Sequence, residues 1–290
     1  MSLQEEFKVQ RNQAWRDELR KSIPAKQRTG IERTTMPEQT AKLRIQNNDE
    51  VTSGLSINQA LEEARRCLDC ANPTCMQGCP VSINIPGFIK EIERQNFAKA
   101  AEVLKQTSAL PAVCGRVCPQ EIQCETHCIY TKKMNKPAVA IGYLERFAAD
   151  YERESGSISI PETKPNNGFK VAVIGSGPAG LSAAGDLAKY GCQVTVFEAL
   201  HEIGGVLKYG IPEFRLPNNI VDVEIDNLKK IGVQFETNFV VGSTASIEDL
   251  RNQGYSAFFV SSGAGLPNFM GIPGENASGV LSSNEYLTRV

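Results

Sequence analysis

Hydrophobic and polar positions follow no sustained period over the first 55 residues. Short helices are expected over Glu5–Lys21 and Pro37–Gln46, in a polar wrapping arm that carries no chemistry of its own. Helical spacing sets in at residue 57 with Ile57, Ala60, Leu61, Ala64 and Leu68. It continues through Pro86–Gln95, Phe97–Gln106 and Pro137–Tyr151, the last with Ile141, Leu144, Phe147 and Ala148 on one face. Residues 154–168 are rich in Ser, Pro, Asn and Gly and read as a linker. The period then changes. Lys170–Ile174 and Gln193–Phe197 are β-branched strands, with a helix running to Tyr190 between them. Asn219–Ile231 reads as a helix, and Val233–Val241 and Tyr255–Val260 as further strands. The expected class is α + α/β: a small helical domain over 1–153, the linker, and a Rossmann-like α/β domain over 169–290.

Composition narrows the function classes. The chain has 290 residues, 31 Lys+Arg against 33 Asp+Glu, and a net charge of -2. That balance argues against a nucleic-acid binder, which shows a basic excess. No apolar run approaches the roughly 18 residues of a membrane span, so no membrane partner is expected. Met1–Arg20 is charged and has no apolar stretch of a secretory signal, so a cytoplasmic location is expected. With two histidines, His127 and His201, a multi-histidine metal site has too few donors.

Nine cysteines change the picture. Cys67-x2-Cys70-x4-Cys75-x3-Cys79-Pro80 forms one group, and Cys114-x3-Cys118-Pro119-x4-Cys124-x3-Cys128 the other. Clustered thiols in a chain of this kind bind metal or carry electrons rather than form a disulfide scaffold. Soft thiolates select zinc or iron–sulfur clusters. The spacing fits two [4Fe–4S] clusters with interleaved ligands, and a cysteine followed by proline is a ferredoxin-like feature. Two structural zinc sites of four cysteines each are the other reading, although only one CxxC pair is present. His127 lies between candidate ligands and is read as a neighbour or surface residue. Cys192, just before a strand, is read as a buried apolar residue.

Gly175-x-Gly177-x-x-Gly180 follows a strand, opens a helix, and precedes Glu198 at the end of the next strand. That order is the dinucleotide-binding arrangement. The first glycine permits the turn, the second admits a pyrophosphate, and the third allows close helix–strand packing. The helix N-terminus favours the phosphates, and Glu198 would accept hydrogen bonds from a ribose diol. A second glycine-rich stretch, Gly204-Gly205-x4-Gly210-Ile211-Pro212-x-Phe214-Arg215-Leu216-Pro217, could bring backbone and Arg215 onto the same dinucleotide. A hydrophobic strand running into Ser261-Ser262-Gly263-Ala264-Gly265 is where a flavoprotein passes its cofactor again.

From about Glu32 onward these motifs, in this order, resemble the small (beta) subunit of NADPH-dependent glutamate synthase. They equally resemble its relatives, the N-terminal part of dihydropyrimidine dehydrogenase and the large subunit of the bifurcating NADH-dependent ferredoxin:NADP oxidoreductase. Gly78-Cys79-Pro80-Val81-x-Ile83-x-Ile85-Pro86-x-Phe88-Ile89 is closer to the bifurcating branch. The resemblance implies one [4Fe–4S] cluster on Cys67, Cys70, Cys75 and Cys128. It implies a second on Cys79, Cys118 and Cys124 with an oxygen ligand at the position of Glu145, and leaves Cys114 out. For FAD it implies Ser176, Gly177, Pro178, Ala179, Gly180, Glu198, Gly205, Val206, Arg215 and backbone near Val241. The implied function is electron transfer from NADPH through FAD to the clusters, and on to a glutamate synthase large subunit or a ferredoxin-linked partner. No catalytic side chain is expected. A zinc-stabilised adaptor without enzymatic activity is the alternative of another class. Family members also carry an NADPH domain, which has no second glycine fingerprint here. The chain is therefore read as truncated, with an incomplete FAD domain and no NADPH-dependent turnover alone.

Overall fold

The helical spacing of the first half becomes a bundle of short helices in a computed structural model, which describes residues 3–156 and 158–289. Met1, Ser2, Ser157 and Val290 lie outside the described residues, Ser157 within the expected linker. The chain divides into two units. One comprises Met1–Asn47 and Val51–Pro161, the other Asn48–Glu50 and Glu162–Val290.

In the first unit the main helices are α1 (Leu3–Arg11), α2 (Ala14–Ser22), α3 (Ile57–Arg66), α4 (Ile85–Glu93), α5 (Phe97–Lys105), α6 (Pro111–Val117) and α7 (Ile141–Ser155). A capping box between Ser56 and Gln59 starts α3. Asn84 caps α4, where its side chain accepts from Gly87 N–H at 3.0 Å. Every residue of α4 is buried, Lys90, Glu91 and Glu93 included. Phe97 meets Phe147 edge-on at 5.2 Å between ring centroids and Tyr151 at 4.8 Å, which fixes α5 against α7.

Three helices differ from the sequence pattern. The helix expected over Glu5–Lys21 breaks between Arg11 and Ala14. The helix expected from Pro137 starts only at Ile141, because residues 137–140 serve long-range partners. Arg66 donates to the carbonyls of Pro137 and Ala138 at 2.7 and 2.8 Å, and Ala140 N–H donates to Glu63 at 2.7 Å. The helix expected over Pro37–Gln46 is reduced to Ala41–Arg44, and Glu38 pairs instead with Thr52 across a β-bridge.

The N-terminal arm does carry structure-determining chemistry, contrary to the sequence reading. Asp69, fully buried with a φ of 49°, lies between Cys67 and Cys70. Arg16 and Arg20 both pair with its carboxylate, Arg20 at 2.6 Å, and Arg11 donates to its carbonyl at 2.8 Å. Arg16 is itself only 3% exposed. Removing one partner of a buried pair leaves an uncompensated charge, at a cost of about 3–5 kcal/mol. Asp69→Ala should therefore lower stability by that order, read as a urea midpoint shift, while an effect below about 1 kcal/mol would refute the clamp.

The second unit is built on a four-stranded parallel sheet. Its strands are β1 (Lys170–Ile174), β2 (Gln193–Phe197), β3 (Gln234–Glu236) and β4 (Ala257–Val260), in the order β3-β2-β1-β4. Helices α8 (Pro178–Lys189), α9 (Asn218–Lys230) and α10 (Ile247–Asn252) provide crossovers, as parallel pairing requires. β1 runs in register with β2 from Lys170↔Gln193 to Ile174↔Phe197, and β4 pairs on its other side. Strand order reverses at β1, so the carboxyl end of β1 is the topological switch point where such sheets bind ligands. β3 ends short of the expected Val241, since Asn238 turns the chain with a φ of 55°. Asn238 and Phe239 instead donate to the carbonyls of Leu200 and Glu198. Among the described residues no helix is long and apolar enough to cross a membrane.

Candidate functional site

Cys67, Cys70, Cys75 and Cys128 line one cavity, with Ile85, Ile89, Tyr130 and Ile141 among its apolar walls. Local structure places each thiol. Cys67 is the residue that ends α3, and its N–H donates to Ala64. Cys70 follows the left-handed Asp69. Cys75 sits in a single helical turn, Thr74–Gln77, and Cys128 precedes another, Ile129–Met134. Burial pushes the Cys67 thiol up to about 12, against the pull of the Lys90 ammonium. Burial also raises Cys70, with Cys128 adding to it. Cys75 is raised strongly, first by burial and then by Cys67, Cys128, Cys70 and Cys124. Burial thus disfavours the charged thiolates, and a bound metal would supply the compensating charge.

The second set gathers around Glu145. Burial pushes Cys118 up to about 11, with Glu145 and Cys79 next in effect. Cys124 is raised by burial, then by Glu125, Glu145, Cys79 and Cys118. Three thiols and one buried carboxylate thus share one neighbourhood. Backbone proximity explains how. A methyl group on Gly115 would lie 2.5 Å from Arg146 N, so only glycine lets α6 cross α7 this closely. That crossing carries Cys118, at the end of α6, to Glu145 on α7. Gly78 plays the same part for Cys79, since a side chain there would meet His127 and the Gln123 carbonyl at 2.6–2.7 Å.

Four of the ligand positions implied by the resemblance thus line one cavity, and Cys79 and Glu145 lie near Cys118 and Cys124; thiolates with one carboxylate are donor types that suit iron–sulfur ligation. Among the described residues no three His, Cys, Asp or Glu side chains form a group that could hold a single metal ion, while Cys67, Cys70, Cys75 and Cys128 line a common cavity. Cys114 stands one turn before Cys118 on α6, and its carbonyl accepts from Gln120 Nε2 at 2.8 Å. His127 is half-buried, with Nδ1 2.8 Å from the Gln123 carbonyl. Cys192 is only half-buried, and its Sγ accepts from Asn167 at 3.3 Å, because the turn before β2 leaves it at the surface.

Three residues at the first set escaped the sequence reading. Lys90 Nζ donates to the Cys67 carbonyl at 2.6 Å, Asp69 anchors the loop, and the Tyr130 hydroxyl donates to the carbonyls of Arg28 and Arg66. The one signal available for Lys90 was a charged pair, Lys90 and Glu93, inside an apolar helix.

In the second unit the glycine turn closes over the end of β1. Gly175 has a φ of 100°, and a side chain there would meet the Ser261 carbonyl at 2.4 Å. At Gly177 a methyl group would meet nothing within 4 Å, so the chain leaves space there for a ligand at the start of α8. Pro178 and Ala179 are exposed along that opening, and Gly180 is packed beneath it. Ser176 is fully buried. Its N–H and Oγ both donate to one oxygen of Glu198, at 2.9 and 2.5 Å, and its Oγ accepts from Gly204 N–H at 2.9 Å. The other Glu198 oxygen accepts from Leu200 N–H. Glu198 thus welds the two glycine stretches together and retains one acceptor position on Oε1 for a ligand hydroxyl. Gly205 packs on Gly177, and Val206 stands exposed beside it. Val241 follows the segment bonded to Glu198 and packs with Phe239 near Phe197. Arg215 is on an exposed loop, and its guanidinium pairs with no carboxylate among the described residues.

Comparison with known proteins agrees with this division. Residues 44–157 match the family described as dihydropyrimidine dehydrogenase domain II, 4Fe-4S cluster. Residues 169–289 match that described as pyridine nucleotide-disulphide oxidoreductase. The chain is 41% identical over 225 residues to the NAD-dependent dihydropyrimidine dehydrogenase subunit PreT of Escherichia coli K12, covering 76% of this chain and 54% of that protein. It is 36% identical over 257 residues to the glutamate synthase [NADPH] small chain of the same organism, covering 89% and 54%. The small chain of Azospirillum brasilense gives 35% over 245 residues, covering 84% and 50%. The chain spans about half the length of the curated relatives it matches. A helical 4Fe-4S domain is followed by an α/β pyridine-nucleotide oxidoreductase domain.

Proposed function

Since the chain belongs to the family of the glutamate synthase small chain and its PreT relatives, we propose that it is the electron-transfer part of a pyridine-nucleotide oxidoreductase. In the whole protein, reducing equivalents would pass from NADPH through FAD to two [4Fe–4S] clusters, and on to a glutamate synthase large subunit. The working domain limits are 1–153 for the iron–sulfur part, 154–168 for the linker and 169–290 for the flavin part. What supports the reading is that Cys67, Cys70, Cys75 and Cys128 line one cavity, while Glu145 and Cys79 both act on Cys118 and Cys124.

When bound, the flavin and clusters supply the change from two-electron to one-electron chemistry. The chain's residues hold and insulate them. Cys67, Cys70, Cys75 and Cys128 would hold one cluster among apolar walls that exclude water. Cys79, Cys118, Cys124 and Glu145 would hold the other. The N–H groups opening α8 would take the dinucleotide phosphates, and Glu198 Oε1 a ribose hydroxyl. Gly205, Val206 and Arg215 would flank the flavin, with backbone near Val241.

A second reading follows from the 41% identity to PreT: the terminal step would be dihydropyrimidine chemistry in a partner. The co-purifying partner separates the two, a glutamate-forming large subunit or a pyrimidine-binding one. The relay itself is tested by iron, acid-labile sulfide and zinc on anaerobically purified chain. About eight irons and eight sulfides are expected of two [4Fe–4S] clusters. Zinc without sulfide would overturn the proposal in favour of structural thiols.

A further inference from the structure

Lys90 is fully buried on α4, among residues the relay does not otherwise use. Its Nζ donates to the Cys67 carbonyl at 2.6 Å and to Glu93 at 2.5 Å. Glu93 is held in turn by Arg28 at 2.8 Å, with both side chains 2% exposed. Two cations and one anion thus form a buried row with net charge +1, ending at a ligand of the first set. Asp69, an anion that acts on Cys67 and Cys70, is already paired with both Arg16 and Arg20. The second set has the opposite surroundings. Besides Glu145, itself one of the proposed donors, the carboxylates acting on Cys118 and Cys124 are Glu121 and Glu125. One of these, Glu125, is paired with Arg33 at 2.8 Å.

Adding one electron to either site adds one negative charge, with no bond made or broken. A buried cation favours that charge and a carboxylate opposes it, and both act strongly where water is excluded. We propose that Lys90 is a potential-setting residue: its ammonium raises the reduction potential at the Cys67, Cys70, Cys75 and Cys128 site above that of the site containing Glu145. The first site is then the downhill end of the pair. The inference rests on the reading of two iron–sulfur clusters given above.

The test is a redox titration followed by EPR on anaerobically purified chain, with the Cys70→Ser protein identifying which signal belongs to the first site. Lys90→Gln keeps a donor for the Cys67 carbonyl and removes the charge. It should shift the reduction equilibrium of the first signal at least tenfold toward the oxidised form, which is 59 mV for a one-electron couple. Glu93→Gln removes the anion and should shift the same signal the other way. The second signal should stay in place in both, and Lys90→Arg should behave like the parent. A merely structural role would not produce shifts of opposite sign. Shifts of one sign, or equal shifts of both signals, or none, would overturn the proposal. Should Lys90→Gln lose its cluster, Glu93→Gln decides alone: an upward shift supports the proposal and its absence defeats it. A parent chain with no [4Fe–4S] signal would instead defeat the underlying reading, and the inference with it.

Discussion

Anaerobically purified Cys70→Ser protein is expected to contain about half the iron and sulfide of the parent chain, while Cys114→Ser retains all of it. The two cysteines look equivalent in sequence, each within a tight group. The fold distinguishes them. Cys70 lines the cavity with Cys67, Cys75 and Cys128, where a cubane needs a ligand at each corner. Cys114 lies on α6, and in the proposed assignment both sets reach four donors without it once Glu145 is counted. A cluster with three strong ligands is oxygen-labile and exchanges iron, so the loss should be close to one whole cluster. Iron and sulfide assays together with EPR give the answer. Equal losses from both variants would mean that Cys114 is a ligand and that Glu145 is not.

The largest stability effect is expected at Gly180. An added methyl group there would lie 2.0 Å from the Gly175 carbonyl and 2.8 Å from Ser261 Oγ, inside the turn itself. Neither backbone can move without breaking the β1–α8 junction. Overpacking of a rigid site costs about 1–3 kcal/mol and sometimes more, and this contact belongs at or above the upper end. Gly180→Ala should therefore unfold the second unit at temperatures where the parent is folded, seen by circular dichroism. Gly177→Ala should do the reverse. Its φ of -66° suits any residue and the added methyl meets no atom of the chain, so the fold should persist. The methyl would occupy the space offered to a pyrophosphate. FAD binding, followed by fluorescence quenching, should weaken at least tenfold, or about 1.4 kcal/mol. A Gly177→Ala chain that binds FAD like its parent would show that the dinucleotide does not pass over this turn.

Local signals carried much of this architecture into the sequence. β1 and β2 were legible to the residue, because each is a short β-branched run that a turn precedes and a glycine or an acidic residue ends. The glycine turn was legible because its spacing after a strand and before a helix is itself a local pattern, although Gly175 is held by the Ser261 carbonyl far along the chain. What escaped was set by partners far along the chain. The late start of α7 depends on Arg66 and Glu63, and the role of the arm depends on Asp69. No local pattern reveals that Arg16 will find a carboxylate fifty residues away. Lys90 escaped for a related reason: a lysine on a helix is normally a solvated charge, and only the surrounding fold removes it from water. Glu145 would not have been chosen by counting thiols. The family resemblance supplied it, and the Gly115–Arg146 approach gives the physical reason it sits where it does.

The interleaving of the two donor sets also bears on how the chain keeps its shape. In the proposed assignment Cys67 and Cys128 mark the ends of one loop, and Cys79 and Glu145 the ends of a second that overlaps it. Filled sites would act as two interlocked cross-links, each removing loop-closure entropy from the unfolded chain in the way a disulfide does. The segment from Cys79 to Cys128 belongs to both loops. Loss of either tie would therefore loosen the other, and demetallation would proceed as a cooperative opening of the whole helical unit rather than as two separate local events.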